Sequence, residues 1–287
     1  MNGTTLNDDY AALSLSHRVL QILLGSLLGD ASMKIAKGYR NARCSMRHSV
    51  VQYDYLRWKF RQLSPELRGK LTPSPPDPAS YSDESKVIYQ SRVHTALTRL
   101  HHITHRDNEK CVSRDWLGPI DALALAIWWC DDGSLNPLTR QGVICTDGFK
   151  PAETQILSDY LASDWGIATR VKPVPKRPGQ MRLHLDRKDT ITLLHIVMPH
   201  IPVAGMMYKV MPCLGNFADQ QRWISTVIDA TTDPQLRAYL TSRYDQPLRH
   251  YDDGQDFVEF FLRLRAAARD GSKDEARRSA SNDLTRE

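Results

Sequence analysis

Apolar and polar positions along this chain alternate in helical and strand rhythms that run through the same order twice. Val19, Leu20, Leu23, Leu24, Leu27 and Leu28 recur at helical spacing, so residues 15–30 read as a helix that Ser14 or Ser16 can cap. The segment 32–49 reads as two short strands about a turn at Gly38 to Asn41. Residues 50–64 form an amphipathic helix with Tyr53, Leu56 and Phe60 on one face. Proline and serine crowd residues 71–85, which predicts a loop. A strand over 86–93 and a helix over 94–106 complete the first series. The second begins with a helix over 119–131, Pro119 sitting in its first turn. A strand at 141–148, a helix over 150–166 closed by Gly166, a hairpin formed by 168–176 and 180–186, and a helix over 189–201 follow. Helix, strands, helix, strands, helix thus occurs twice, although residue identity between the halves is slight.

The domain organisation read from this order is an arm (1–14), a first unit (15–115), a second unit (116–215), a helical extension (216–270) and a polar tail (271–287) expected to lack a fold. In the extension, Phe257, Phe260, Phe261, Leu262 and Leu264 cover much of one helix surface, with Arg263, Arg265 and Arg269 opposite. At 287 residues the chain is long enough for a core of normal size without staples.

Two places stand out against this pattern. "LLGSLLGD" ends an apolar helix on Asp30, and "LAIWWCDD" ends another on Asp131 and Asp132. The C-terminal end of a helix carries the negative pole of its dipole, where a carboxylate is penalised and a lysine would stabilise. A fold does not need that arrangement twice in matching places. A hard divalent cation such as Mg²⁺ removes the penalty, because it prefers carboxylate oxygens, and acids brought together from two units could share such ions across a phosphodiester. Gly25 and Gly29 lie four apart on one helix, Ala126 and Cys130 four apart on the other; small residues at that spacing let two helices approach closely.

Charge adds a partner. Lys and Arg number 38 against 33 Asp and Glu, a net of +5, and the excess is concentrated in residues 33–72 and 166–188. Two basic blocks fit either a polyanion partner or ordinary solvated surface. Five cysteines, Cys44, Cys111, Cys130, Cys145 and Cys213, are scattered without zinc spacing, which fits free thiols in a reducing compartment. The N-terminus has no secretory pattern and no apolar run is long enough to span a membrane, so an intracellular protein is expected, in a bacterial cytoplasm or an organelle matrix.

"LLGSLLGDA" and "LAIWWCDDG" resemble the two motif copies of the LAGLIDADG homing endonucleases, single-chain branch; "RCSMRHSVVQYDYL" and "IPVAGMMYKVMP" add to the resemblance, which covers about residues 15–215. The second motif departs from consensus in Trp128 and Trp129, and its small residues sit one register away from those of the first. The resemblance implies an α+β fold: two pseudo-symmetric αββαββα units whose antiparallel sheets form a saddle on DNA. It implies a monomer that cuts both strands of a long asymmetric duplex target, leaving 3′ overhangs, with Mg²⁺ as cofactor and Mn²⁺ substituting. It also implies intron homing, a group I intron or free-standing origin fitting better than an intein because no splicing domain is visible. Asp30 and Asp132 are the implied catalytic acids and metal ligands, with Ala31 and Asp131 as further metal positions. Lys209 and, by a looser match, Lys110 are the implied catalytic lysines; a polar side chain near the strand after the motif is also implied, without an assignable residue. Candidates for DNA contact are Lys34, Arg40, Arg43, Arg47, Arg92, Arg140, Arg170, Lys172, Arg182 and His184, by base readout or phosphate contact. Arg57 and Lys59 on their helix are expected to touch phosphate or solvent, and His101, His102 and His105 to be surface residues. The alternative function is a non-cleaving nucleic-acid binder on the same scaffold, a group I intron RNA maturase or a DNA-binding regulator.

Overall fold

The computed structural model describes residues 8–74, 86–136, 139–210 and 217–231, with Asp233, Pro234, Arg237, Ala238 and Thr241 beyond them. A short helix, α1 (Asp8–Ala11), precedes the first series: α2 (His17–Leu28), β1 (Ala31–Lys34), β2 (Arg43–Ser49), α3 (Tyr53–Leu67), β3 (Gly69–Ser74), β4 (Lys86–Ser91) and α4 (Thr95–Thr104). A two-residue hairpin, β5 (His105–Arg106) and β6 (Glu109–Lys110), and the short α5 (Arg114–Leu117) lead to the second series. That series holds α6 (Ala122–Asp132), β7 (Gly133–Asn136), β8 (Gln141–Cys145), α7 (Pro151–Trp165), β9 (Arg170–Pro173), β10 (Met181–Leu185) and α8 (Arg187–Val197). Two 3₁₀ turns (Met198–His200, Ala204–Val210) and α9 (Phe217–Ala230) follow.

Each series folds its strands into one antiparallel sheet of the same order, β1-β2-β4-β3 and β7-β8-β10-β9. One face of each sheet carries the buried alternate positions, Cys44, Met46 and His48 on β2 and Leu183 and Leu185 on β10. The other face stays open and takes Ser32, Lys34 and Arg47, or Ser134, Arg170 and Lys172. The fold is therefore α+β, with two open sheets.

Helices α2 and α6 pack along each other and run in the same direction. Near their starts, the Gln21 side chain donates to the Pro119 carbonyl (2.8 Å) and accepts from the Asp121 N–H (2.9 Å). Asp121, not Pro119, then caps α6, its carboxylate accepting from the N–H groups of Leu123 and Ala124; the helix starts three residues later than the proline signal predicts. Midway, a Cβ on Gly25 would come within 2.3 Å of the Ala124 carbonyl oxygen and 2.9 Å of the Ile127 Cβ. The close approach is thus made by Gly25 against Ala124 and Ile127; Ala126 and Cys130 lie elsewhere on α6. The sequence could not choose this face because every residue from Leu123 to Cys130 is buried. Gly25→Ala is expected to destabilise the protein. Alanine gains about 1 kcal/mol of helix propensity, but overpacking a tight interface costs about 1–3 kcal/mol and a backbone oxygen cannot swing aside. A thermal midpoint that rises instead would show that the helices can part without cost.

Three further readings change. Residues 71–74 are strand, not loop, because β3 lies at the sheet edge, where a proline is tolerated; residues 75–85 lie outside the described residues. Strand β7 was not legible, since "GSLN" offers a single apolar residue and no alternation. His101 and His105 are buried, at 5% and 4% exposure, with rings stacked 4.4 Å apart, while His102 is exposed. The helix expected around Phe257 to Leu264, with its arginines, and the tail lie outside the described residues, as does Cys213. No helix among the described residues is long and apolar enough to cross a membrane.

Candidate active site

The acid-ended helices α2 and α6 bring their C-terminal ends together. Gly29 is the last small step of α2: a Cβ there would fall 2.4 Å from the Asp131 Cβ. The missing side chain makes room for Asp131, whose Oδ2 accepts from the Asp30 N–H at 3.3 Å. Asp30 and Asp132 are near enough for the charge of Asp30 to act on Asp132. Asp30 keeps 39% of its side chain open to solvent, and protein crowds its remaining sides. Burial first, and then the charge of Asp131, push the Asp30 carboxyl up to about 7, against the pull of Lys59, Lys209 and Lys110. Burial first, then Asp30 and Asp131, push Asp132 up to about 8. Like charges held together in a partly dry space resist ionisation, so the pair is a donor set that a divalent cation would discharge.

Lys110 and Lys209 each reach one of the two helix ends. The Lys110 ammonium donates to the Gly29 carbonyl at 3.1 Å, and the Lys209 ammonium donates to the Gly133 carbonyl. Each lysine thus closes the negative end of one acid-bearing helix. Their supports differ. Lys110 is carried by the β5–β6 hairpin, whose Asp107 and Asn108 hold φ of 51° and 63° as a tight two-residue turn requires. Lys209 is carried by the 3₁₀ turn, anchored where the Trp129 indole donates to its backbone carbonyl at 2.9 Å. Burial lowers the Lys110 pKa, while Asp132, Asp30 and Asp131 oppose it.

Asp131 itself is engaged elsewhere. Its side chain and that of Lys59 are both 0% exposed. The Lys59 ammonium donates to both carboxylate oxygens, at 2.7 and 2.9 Å, and the Tyr55 hydroxyl donates to Oδ1 at 2.8 Å. This corrects one expectation. Lys59 is not on a solvent- or phosphate-facing helix surface, because it continues the buried stripe of Tyr55, Leu56, Leu63 and Leu67. One Asp131 oxygen lies within 4.8 Å of ligand atoms of Asp30 and His48, while the Lys59 ammonium is bound to both of its oxygens. Ala31 opens β1 directly after Asp30, opposite Met46.

Sequence reasoning missed His48, which stands beside Asp30. It ends the inward-facing alternation Cys44, Met46, His48, where a histidine in an apolar series was the available signal. Its Nδ1 lies 3.7 Å from Asp30 Oδ2 and 3.3 Å from Gln52 Oε1. Burial, then the charge of Lys59, lowers its pKa to about 4, so the ring is neutral at physiological pH. The corresponding position of the second sheet holds no ring: Met46 pairs with Ala31 as Ile144 pairs with Gly133, and two residues on stands Thr146, whose hydroxyl donates to the Met181 carbonyl. The two acids are thus supported differently.

The candidates for nucleic-acid contact lie on or beside the open sheet faces. Lys34, Arg43 and Arg47 belong to β1 and β2, Arg40 to their connection, and Arg92 follows β4. Arg43 stacks over the exposed Tyr39 ring at 5.2 Å. Arg140 lies in the β7–β8 turn with φ 60°. Arg170 and Lys172 are on β9, Arg182 and His184 on β10, where a groove of about 530 Å³ is lined by Asn136, Val143, Arg170, Lys172 and His184 among others. Burial and the nearby Lys172, Arg182 and Arg170 lower the His184 pKa.

Comparison with known proteins agrees with this arrangement. In sequence the chain is 29% identical over 211 residues to "Protein RecA" of Mycolicibacterium flavescens, covering 69% of this chain and 47% of that protein. It is 23% identical over 226 residues to "Cytochrome b mRNA maturase bI2" of Saccharomyces cerevisiae, covering 75% of this chain and 51% of that one. The chain thus spans about half the length of these relatives. In structure it resembles the homing endonuclease I-WcaI bound to its DNA recognition sequence, with a TM-score of 0.61 at 22% identity, covering 74% of this chain and 95% of that one. The family profile described as "LAGLIDADG DNA endonuclease family" matches residues 20–193, through both acid-ended helices and both sheets, and the chain belongs to that family.

Proposed function

We propose that this protein is a site-specific double-strand DNA endonuclease that works as a monomer, its units at residues 15–115 and 116–215 each addressing half of a long asymmetric target. The observation that carries the reading is the pair of acid-bearing helix ends, each reached by a lysine, with the charge of Asp30 felt at Asp132. Asp30 and Asp132 would hold divalent ions, Mg²⁺ first and Mn²⁺ in its place, which supply a nucleophilic water and charge neutralisation for phosphodiester hydrolysis. Lys110 and Lys209 place two ammoniums beside the phosphate as charge develops on its oxygens. His48, neutral and close to Asp30, accepts from or orients a water at the first half-site. The open faces bind the duplex through Lys34, Arg40, Arg43, Arg47, Arg92, Arg140, Arg170, Lys172, Arg182 and His184. The faces differ residue by residue: Arg47 opposite Ile88 in the first corresponds to Cys145 opposite Arg182 in the second. Unequal halves fit an asymmetric target. Cleavage that leaves 3′ overhangs, and a role in intron homing, belong to the same reading.

The test is selection of cleaved plasmids from a library of random inserts, with Mg²⁺, then with Mn²⁺. Recovery of one linearised target family supports the endonuclease. Tight binding of structured RNA with no linear product under either metal would favour the maturase alternative, which the likeness to a yeast mRNA maturase motivates.

Metal and pH should be linked with a definite sign. Both acids titrate higher in the fold than the usual unfolded value near 4. The folded protein therefore holds extra protons between about pH 4 and pH 8, and metal-free stability falls as pH rises through that window. A cation that takes the ionised pair restores it. The increase in thermal midpoint on adding Mg²⁺ is expected to be larger at pH 8.5 than at pH 6; an increase independent of pH would remove Asp30 and Asp132 from the metal site.

A further inference from the structure

An acid stands in the second sheet's open face, where a surface meant for a polyanion should not keep one. Asp147, in the turn after β8, accepts from Arg182 Nε at 2.7 Å and from Arg182 Nη2 at 2.5 Å, and Arg177 lies 3.6 Å away as a second cation. Arg182 occupies the middle of that face, its Cα opposite Cys145 on β8 and Lys172 on β9. The pair is partly exposed, with 32% of the Arg182 and 23% of the Asp147 side chain open. Partly exposed pairs contribute little to stability, so folding alone gives weak reason to place a carboxylate here.

What the two-point contact does is orient. A guanidinium has five donors in a rigid plane. Asp147 takes the Nε–Nη2 edge, which leaves the Nη1–Nη2 edge to a further partner. That remaining fork matches the O6 and N7 acceptors of guanine in the major groove. Without Asp147 the same arginine could swing among phosphates, which carry no sequence information. The arrangement belongs to one half, since the position corresponding to Arg182 in the first sheet is Ile88.

We propose that Asp147 is a specificity-positioning residue, which holds Arg182 in the orientation that reads a guanine in the half-site under the second sheet. The inference rests on the reading of this protein as a DNA binder and names one contact within it. The test is sequencing of duplexes bound from a random-sequence pool by the wild-type chain, Asp147→Ala, Arg182→Lys and Arg182→Ala. The wild type is expected to select guanine at one position by roughly 5- to 150-fold, the range of a good bidentate pair. Asp147→Ala should flatten that position alone while the other positions keep their preferences; Arg182→Lys and Arg182→Ala should flatten it too, with affinity for the wild-type consensus falling by up to the same factor. A merely structural role would lower affinity at every position and move no single base preference. If Asp147→Ala binds more tightly with unchanged preferences, the acid only trims positive charge and the proposal fails. If Arg182→Ala keeps every preference, Arg182 is not a reader and the proposal fails. If the wild type enriches no sequence at all, the DNA-binding reading itself falls and takes this inference with it.

Discussion

Asp30→Asn and Asp132→Asn are each expected to remove double-strand cleavage while leaving DNA affinity within a few-fold of wild type. The amide keeps the shape of the carboxylate but neither its charge nor its affinity for a hard cation. The loss should be on the order of 10³-fold in cleavage rate or more, the scale reached when one transition-state charge partner is removed. The fold predicts a second signature. Each acid is held by burial and like charge in a site that resists ionisation, so in metal-free buffer at pH 8 either variant should melt at a higher temperature than wild type. Activity lost together with stability gained would mark a functional site set against the fold. The check is a cleavage time course on the selected target, with gel-shift affinity and thermal melts at pH 6 and pH 8. A single variant that still cuts both strands at wild-type rate in Mg²⁺ would end the assignment of that acid.

Much of this was legible because the strongest signals were local. Helix α2 was readable from its apolar spacing and its Ser16 cap, and α7 from Gly166, which ends it with φ 66°. The paired acids were readable because a carboxylate at the negative end of an apolar helix is locally unfavourable, and its repetition needs a cause beyond the fold. What stayed hidden depends on contacts between distant residues. Lys59 looks like any basic residue of a helix until α3 is packed against the end of α6; only its place in the stripe Tyr55, Leu56, Leu63 and Leu67 hinted otherwise. His48 is placed by strand register rather than by a motif. Which face of α6 meets α2 could not be read from a helix apolar all round, and it was settled by the absence of a side chain at Gly25.

Lys59→Met should be the most destabilising single change at the site. The side chains of Lys59 and Asp131 are both 0% exposed, so the variant leaves a carboxylate with its charge partner gone and the Tyr55 hydroxyl as its remaining side-chain donor. Breaking a buried pair from one side costs about 3–5 kcal/mol. For a protein of this size that corresponds to a fall in thermal midpoint of roughly 5–8 °C. The double variant Lys59→Met with Asp131→Leu should recover most of the loss, because apolar side chains of similar volume replace a buried pair at little net cost; the Tyr55 hydroxyl then keeps the Ile127 carbonyl, 3.4 Å away. Such recovery is a coupling between neighbours that independent sites would not show. The same double variant separates the two roles open to Asp131. If Asp131 is an anchor that spaces Asp30 from Asp132, the recovered protein still gains thermal stability from Mg²⁺ at a near-normal concentration. If Asp131 is instead a metal ligand, stability returns but the Mg²⁺ midpoint shifts by tenfold or more. A Lys59→Met protein that melts with the wild type would show that the buried pair does not hold this end of α6 in place.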